Sequence, residues 1–552
     1  MRWFLLVWLV ALIVLAANHP GQLAYDTKLG VDIDPAGFYA RLRDLWDPLA
    51  WLGTLQNQYI GYAFPMALFY LVGHALAVPA WLTERCWMSL LVAVGFLGLA
   101  RLAVALRIGS PRTRLLAGLA FALWPTFTIL VGSSSASILP GILVPWAVLP
   151  LVRVTRAAPN GVSVPNGVSV GGGRGSVIRA AAESGVAVLA MGGVNAAVTL
   201  EALIAPALFI AVYTRGRRRI GLASAWVGSV LLATSWWAGP LVLQGRYTFS
   251  FLPYIEQAAT TTRTMSATAA LLGTGDWTAY FNPGMPWLTA GWTMVSAPPA
   301  ILAAAAAAGA GLAGLARRDL PHAAWLRLAA GIAAAGALAG YWGPLGGPFH
   351  GTVDSILNGV LAPLRNVYKF ESVLALVLAL GLAHGLTGLA GLAGLAGPAH
   401  RRAGSLALRA QRRPARPALG TTAGRVPGRR PRASRLVAGG AAAAVLAGLA
   451  LPYLTDQVLN PGAFTRVPRY WYQAAAFLAA HSPREPAFVV PGDAHGEYLW
   501  GSPLDDPLEP LATSPWIERG LVPYGGAGSQ DFVSTAESAV ESGQQVPGLA
   551  AY

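Results

Sequence analysis

Long apolar stretches, repeated along the whole chain, constrain this sequence more than any other feature. A helix needs roughly 20 mostly apolar residues to cross the hydrocarbon core of a bilayer, and about ten to eleven such stretches follow one another here. Hydrophobic residues occupy 55% of the 552 positions and charged residues only 11%, whereas about a quarter of a soluble globular protein is charged. The sequence therefore predicts an all-α polytopic membrane protein with about ten to eleven transmembrane helices.

Clusters of arginine between the apolar stretches predict the orientation of the chain. The net charge of +15 comes from short basic tracts, such as Arg215 to Arg219, and these tracts form no continuous basic surface of the kind that binds nucleic acid. Arginine and lysine concentrate in cytoplasmic loops. We therefore expect a plasma-membrane protein with a cytoplasmic N-terminus, in which residues 18–85 form a first periplasmic loop.

Two segments have the composition of disordered cytoplasmic loops. Residues 157–179 contain PNGVSV twice in tandem before a glycine-rich run, and residues 396–436 contain eleven Arg and no acid. After residue 455 the character changes, because acids appear among Trp, Pro and Gly. We predict a membrane domain over 1–455, followed over 456–552 by the start of a small extracytoplasmic α/β or mixed soluble domain.

Carboxylates are concentrated in the first outer loop, which carries Asp26, Asp32, Asp34, Asp44 and Asp47. A carboxylate just outside a membrane helix is suited to act as a general base, because partial desolvation raises its pKa toward neutrality. The alternative is an ordinary solvated loop.

Lysine is rare, and its placement is informative. The chain has only two Lys, Lys28 and Lys369, and both fall in predicted outer loops. If the segment before the span at 372–395 begins a helix, Arg365 and Lys369 stand four residues apart on one face, where they could bind one phosphate. The alternative is that these cations only anchor a helix end. Glu201 is a further candidate, because an acid at membrane depth is usually functional.

Several common chemistries have no sequence support. The chain contains no P-loop, no GxGxxG after a strand, no GxSxG and no HExxH. Its single cysteine, Cys86, excludes an intrachain disulfide. We predict no metal site and no resident cofactor, and the need for a divalent cation is left open. The energy for a reaction must then come with the substrate, as in an activated lipid-linked sugar.

Five separate segments together resemble the actinobacterial α-(1→3)-arabinofuranosyltransferase family, membrane enzymes of the GT-C type. The segments agree in order and spacing over nearly the whole chain. They are Asp26-Thr27-Lys28-Leu29 with Asp34-Pro35, Gln56-Asn57-Gln58 with Gly61-Tyr62, Leu364-Arg365-Asn366-Val367-Tyr368-Lys369-Phe370, Pro468-Arg469-Tyr470-Trp471, and Tyr498-Leu499-Trp500-Gly501.

The resemblance implies transfer of arabinofuranose from decaprenylphosphoryl-arabinose to cell-wall arabinan, with inversion, on the extracytoplasmic side. It implies that Asp26 is the base and that Lys28, Arg365 and Lys369 bind the donor phosphate. The same resemblance implies a substrate-binding role for Asp34, Gln56, Asn57, Asn366 and Glu371.

Two departures from the family pattern qualify these expectations. The predicted hairpin tip Ser133 to Ser137 lacks the acid that many GT-C enzymes carry in this outer loop, which argues against a metal-assisted mechanism. Family members also continue for hundreds of residues, so we expect this chain to be a fragment of a longer protein. A carrier or flippase for a polyprenyl-linked glycan and an inactive truncated scaffold remain alternatives, and the former would also use outer cations and an acid such as Glu201.

Overall fold

Helices dominate the computed structural model, which describes the chain except for residues 27, 56–58, 157–173, 248–253, 344–346, 348, 393–431, 494, 521–526 and 550–552. We label six long helices: α1 (Arg2–Ala17), α2 (Ala80–Ala105), α3 (Ser135–Arg156), α4 (Gly216–Tyr247), α5 (Pro298–Ala316) and α6 (Glu371–Leu392). Within the described residues, six helical segments are long and apolar enough to cross a membrane: Ala80–Ala105, Ser135–Arg156, Ala196–Tyr213, Gly216–Tyr247, Pro298–Ala316 and Val367–Gly388. The predicted all-α membrane fold is confirmed.

Further elements connect these helices. The other α-helices are Leu29–Ile33, Pro35–Arg41, Tyr59–Tyr62, Leu68–Ala75, Pro111–Ala122, Pro125–Thr128, Arg174–Leu189, Ala196–Ala202, Ile204–Tyr213, Ala258–Arg263, Ala267–Leu272, Thr289–Ser296, Ala323–Leu338, His350–Asn358, Arg432–Leu449, Leu451–Leu454, Arg469–His481, Leu508–Leu511 and Ala527–Glu541. A π-helical turn covers Ala63–Ala67, and 3₁₀ turns cover Trp277–Tyr280, Ala362–Leu364 and Val367–Phe370. Three further apolar helices are too short to count among the six: Arg2–Ala17, Ala323–Leu338 and Val437–Leu449. The six candidate spans in the described residues are therefore fewer than the ten to eleven predicted for the chain.

Helices α2 and α3 lie side by side and run in the same direction. Near their first turns, the indole of Trp87 donates to the hydroxyl of Ser135 over 2.7 Å. Farther along, the indole of Trp146 donates to the carbonyl of Val94 over 3.1 Å. A Cβ at Gly98 would lie 2.5 Å from Nε1 of Trp146, so only glycine allows this approach. These contacts hold α2 and α3 together as a buried, parallel pair of helices.

Helices α5 and α6 approach each other even more closely. A Cβ at Gly314 would lie 1.8 Å from the carbonyl oxygen of Gly381, which only two facing glycines permit. This contact fixes the position of α6, and hence of the residues that precede it.

The segment after residue 455 packs against the first loop. It contains two parallel strands, Ala487–Phe488 and Trp516–Ile517, and several helices, so its predicted mixed character is confirmed. The backbone N–H of Trp516 donates to the carbonyl of Leu49 over 2.8 Å, and that of Trp51 to the carbonyl of Trp516 over 3.0 Å. The first loop has its own antiparallel pair, Trp46–Asp47 with Thr54–Leu55. The domain boundary at 455 stays a prediction, but loop and segment share one core.

Helices cover the last residues of both predicted disordered loops, and residues 157–173 lie outside the described part of the chain. A helix begins at Arg174, inside the predicted loop 157–179, because its apolar face packs on neighbouring helices. On that face the hydroxyl of Ser184 donates to the carbonyl of Ala147 over 2.8 Å and accepts from the indole of Trp226 over 3.0 Å. A helix also begins at Arg432, inside the predicted loop 396–436. The other residues of that second loop lie outside the described part of the chain.

Candidate functional site

Asp26 lies in a buried pocket at the first turn of α3. Its side chain is 3% exposed. Both of its oxygens accept hydrogen bonds from Ser135: Oδ1 from the backbone N–H, and Oδ2 from the hydroxyl over 2.5 Å. Because the Trp87 indole can only donate to that hydroxyl, the hydroxyl hydrogen points at Asp26. The carboxyl is therefore held in a fixed orientation.

A buried ion pair between Glu84 and Arg85 supports the loop that carries Asp26. Both side chains are fully buried. Glu84 accepts from the backbone N–H of Ala24 over 3.2 Å, and Arg85 donates to the carbonyl of Gln22 over 2.9 Å. Both contacts fall within four residues of Asp26. We call Asp26, Asp32, Glu84, Arg85 and Ser135 the carboxylate pocket.

The pocket raises the pKa of its acids. Burial, followed by the nearby Glu84 carboxylate, raises the pKa of Asp26 from 3.8 to about 7, although the hydrogen bonds from Ser135 oppose this rise. Burial and Glu84 also raise the pKa of Asp32. A carboxyl group that titrates near pH 7 is suited to accept a proton from a substrate hydroxyl.

Lys28 and Asp34 are occupied by contacts within the protein. The ammonium of Lys28 forms an ion pair with Asp505 over 2.8 Å, and the other oxygen of Asp505 accepts from the backbone N–H of Leu29 over 2.8 Å. Asp34 accepts from the backbone N–H of Gly37 over 2.9 Å and caps the helix Pro35–Arg41. The predicted substrate contacts of Lys28 and Asp34 stay predictions, and each would compete with the contact described here.

The segment from Arg365 to Glu371, which we call the cationic segment, is not the helix that the i, i+4 prediction requires. Arg365 follows one 3₁₀ turn, and Val367–Phe370 forms another. Asn366 separates the two turns because its ψ of 69° is not helical. The predicted shared helix face is therefore wrong. Arg365 and Lys369 nevertheless lie close enough to interact electrostatically.

Lys369 is buried beside Glu201. Its ammonium donates to Oδ1 of Asn195 over 3.2 Å and interacts electrostatically with the Glu201 carboxylate. The same Asn195 oxygen caps the helix Ala196–Ala202, which carries Glu201. Neither oxygen of Glu201 has a hydrogen bond within the described part of the chain. The candidate acid at membrane depth thus faces the second lysine of the chain.

Glu256 holds the start of the cationic segment. Its Oε1 accepts from the amide of Asn366 over 2.6 Å and lies 3.7 Å from Nε of Arg365. Nη2 of Arg365 is buried and makes no hydrogen bond among the described residues. At the end of the segment, Glu371 accepts from the backbone N–H of Gly275 over 2.8 Å. The guanidinium therefore keeps donor capacity for a further partner.

A row of aromatic side chains joins the carboxylate pocket to the cationic segment. The hydroxyl of Tyr25 donates to the carbonyl of Trp287 over 3.4 Å, and the Trp287 ring lies 6.1 Å from the Trp277 ring. The indole of Trp277 then donates to Asn366 over 3.3 Å. Beside this row, burial raises the pKa of Asp276 to about 6. The fold thus brings Asp26, Asn366 and Lys369 into one region.

Sequence reasoning missed the groups that hold these side chains in place. Ser135 lies in the predicted hairpin tip Ser133 to Ser137, and only this run of small polar residues marked it in the sequence. Glu84, Asn195 and Glu256 carried no signal, because each contacts a residue more than 50 positions away. The predicted substrate residues Gln56 and Asn57 lie outside the described residues. Among the described residues, no group of three His, Cys, Asp or Glu could hold a metal ion.

Comparison with known proteins identifies the family. A family model described as the alpha-(1→3)-arabinofuranosyltransferase N-terminal GT-C domain matches residues 10–552. The alpha-(1→3)-arabinofuranosyltransferase of Mycolicibacterium smegmatis is 36% identical over 542 residues, which are 98% of this chain and 35% of that protein. The Mycobacterium tuberculosis protein of the same name is 33% identical over an alignment of 554 positions, which covers 100% of this chain and 37% of that protein.

A solved structure agrees with these relatives. The cryo-EM structure of the arabinofuranosyltransferase AftD from Mycobacteria superposes with a TM-score of 0.73 and 28% identity, covering 100% of this chain and 34% of that one. The chain thus spans about a third of the length of the relatives it matches. On the family match and the two curated relatives, the chain belongs to the α-(1→3)-arabinofuranosyltransferase family, within its N-terminal GT-C domain.

Proposed function

We propose that this protein transfers arabinofuranose from a polyprenyl-phosphate donor, decaprenylphosphoryl-arabinose, to an arabinan acceptor on the extracytoplasmic side of the membrane. The observation that carries the proposal is the buried Asp26 carboxyl, with a pKa of about 7, in an orientation fixed by Ser135. Family membership supports the same reaction.

The reaction is a single displacement at the anomeric carbon. Asp26 accepts the proton of an acceptor hydroxyl as the oxygen attacks, the bond from the anomeric carbon to the phosphate oxygen breaks, and the polyprenyl phosphate leaves with the electron pair. One displacement inverts the configuration and needs no protein nucleophile. The acid and the acceptor hydroxyl must meet within hydrogen-bonding distance for this proton transfer.

Arg365 and Lys369 stabilise the departing phosphate. The unpartnered Nη2 of Arg365 supports this role, because a buried guanidinium N–H without an acceptor is costly unless a ligand supplies one. Lys369 adds a second positive charge beside it. Asn366 lies between these two cations in the chain, and Glu371 follows Lys369. The hydrogen bond from Asn366 to Glu256 and the one from the Gly275 backbone N–H to Glu371 hold the cationic segment in place.

The test is transfer of labelled arabinose from decaprenylphosphoryl-arabinose to a short arabinan acceptor, in membranes that contain this chain or its Asp26→Asn variant. We expect the variant to lose roughly 10²- to 10⁴-fold in rate, which is the usual contribution of a general base. Asp44→Asn is the matched control. It makes the same change in the same loop, at an exposed carboxyl, and is expected to retain activity.

Two outcomes would contradict the proposal. Transfer by a folded Asp26→Asn variant at near wild-type rate would show that Asp26 is not the base. No transfer by the folded wild-type chain would favour the carrier alternative, for which the buried pair of Glu201 and Lys369 is the supporting observation. Movement of the labelled donor across vesicle membranes would then separate a carrier from an inactive scaffold.

A further inference from the structure

A cavity lies at the ends of α2 and α3 that are farthest from Asp26. Its volume is about 440 Å³, and it is lined by Arg101, Val104, Ala105, Arg153 and Arg156. We call it the basic cavity. From Glu84 to Arg101 the helix rises roughly 25 Å, and from Ser135 to Arg153 roughly 27 Å. The basic cavity is therefore separated from the carboxylate pocket by about the thickness of a bilayer hydrocarbon core.

The arginines of the basic cavity have no carboxylate partner among the described residues. Arg101 lies over the ring of Trp146, at 5.5 Å from its centroid. Arg156 donates to Nε2 of His322 over 3.2 Å. Burial and the Arg156 charge lower the pKa of His322 to about 4, so this partner is neutral at pH 7. Three positive charges thus surround one cavity without compensation.

The acids near this face are already paired elsewhere. Glu183 binds Arg179, and Asp319 binds Arg317 and His384. The three arginines are exposed, so solvent screens part of their mutual repulsion, and an anion between the guanidinium groups would remove more of it.

We propose that the basic cavity binds the phosphate headgroup of an anionic phospholipid. Its volume falls within the roughly 300–1,000 Å³ typical of ligand pockets. One guanidinium group can donate two parallel N–H hydrogen bonds to the oxygens of a phosphate. Basic pockets between membrane helices bind anionic headgroups. Val104 and Ala105 supply an apolar wall for the glycerol and upper acyl carbons. A soluble phosphate ester also carries a phosphate, but it has no acyl chain to pack against that apolar wall.

The experiment is native mass spectrometry of the purified, delipidated full chain, titrated with phosphatidylglycerol and, separately, with zwitterionic phosphatidylcholine. We expect selective binding of phosphatidylglycerol. A triple variant, Arg101→Gln with Arg153→Gln and Arg156→Gln, should bind it roughly 100-fold more weakly, since each arginine near a membrane surface contributes on the order of a factor of five. The matched control replaces Arg112, Arg215 and Arg217 by Gln, because these arginines are exposed like those of the cavity but lie outside it.

A second variant keeps all of the charge. Ala105→Trp fills the basic cavity, and we expect it also to lose selective phosphatidylglycerol binding while its thermal unfolding stays cooperative. This variant decides the question if the triple variant does not fold.

Two results would overturn the proposal. An equal loss of binding in the cavity variant and in the matched control would show that general surface charge, and not the cavity, attracts the lipid. Displacement of phosphatidylglycerol by millimolar inorganic phosphate, or binding of inorganic phosphate alone, would assign the cavity to a soluble phosphate ester.

Discussion

The carboxylate pocket and the cationic segment both bury charged side chains, but they balance the charge in different ways. In the pocket the one cation, Arg85, is already bound to Glu84 and to backbone carbonyls, and Asp26 is left with the neutral donors of Ser135. In the segment the cations have acidic neighbours but few close polar contacts: Nε of Arg365 lies 3.7 Å from Glu256, and Lys369 donates to Asn195 over 3.2 Å beside Glu201.

This difference separates two chemical tasks. A carboxyl group without a nearby free cation keeps a raised pKa and accepts protons near neutral pH. Cations that are buried but incompletely hydrogen-bonded favour an incoming anion, because the anion restores contacts that water made before folding. The pocket is therefore suited to the attacking hydroxyl, and the segment to the departing phosphate.

After Asp26→Asn, the largest expected effect comes from removing Lys369. Lys369→Met should reduce transfer by roughly 10²- to 10³-fold, because charge on the leaving phosphate is no longer stabilised. It should also destabilise the fold by about 3–5 kcal/mol, since Glu201 loses its buried partner. Transfer rate and chemical denaturation measure the two effects.

A double variant, Lys369→Met with Glu201→Gln, separates function from structure. It should recover most of the lost stability, because no unpaired charge stays buried, but it should not recover transfer. Recovery of both would mean that Lys369 only neutralises Glu201, and the contrast between pocket and segment would fail.

A smaller effect is expected at Ser135. Its hydroxyl stabilises the ionised form of Asp26, so Ser135→Ala should raise the pKa of Asp26 further above about 7. Transfer needs the ionised carboxylate, so the acid limb of the pH–rate profile should move up by about one unit, and the rate well above that pKa should change little. Ser137→Ala is the control, because its hydroxyl donates to the Ser134 carbonyl instead. An unshifted profile would show that Asp26 does not set the acid limb.

The smallest effect is expected at the ion pair of Lys28 with Asp505. If the pair only holds the loop, Lys28→Met and Asp505→Asn should each cost about 1–2 kcal/mol of stability and reduce transfer by similar small factors, and the double variant should add little. If Lys28 binds the donor phosphate as the resemblance implies, Lys28→Met alone should raise the KM for the donor strongly. The KM values of the three variants for the donor therefore distinguish a structural role of the ion pair from phosphate binding by Lys28.

Much of the fold was predictable from the sequence, because membrane spans depend on local composition. The apolar stretches predicted the helical fold, and the two lysines pointed to regions that carry buried acids. The arrangement of the cationic segment was not predictable, because the side-chain amide of Asn366 donates a hydrogen bond to Glu256, 110 residues away. Likewise, the burial of Asp26 depends on Ser135, 109 residues away, and no local pattern encodes such contacts.

The bonds of Asp505 to Lys28 and Leu29, and the bond from the Trp51 indole to the carbonyl of Glu518 over 3.1 Å, determine where this protein can be shortened for experiments. A fragment that ends at the last membrane helix removes the partners of residues adjoining Asp26. A recombinant version that preserves the native contacts of the first loop must therefore extend past Glu518. A protease cut in the intact chain between residues 456 and 505 should leave the two pieces associated after dilution.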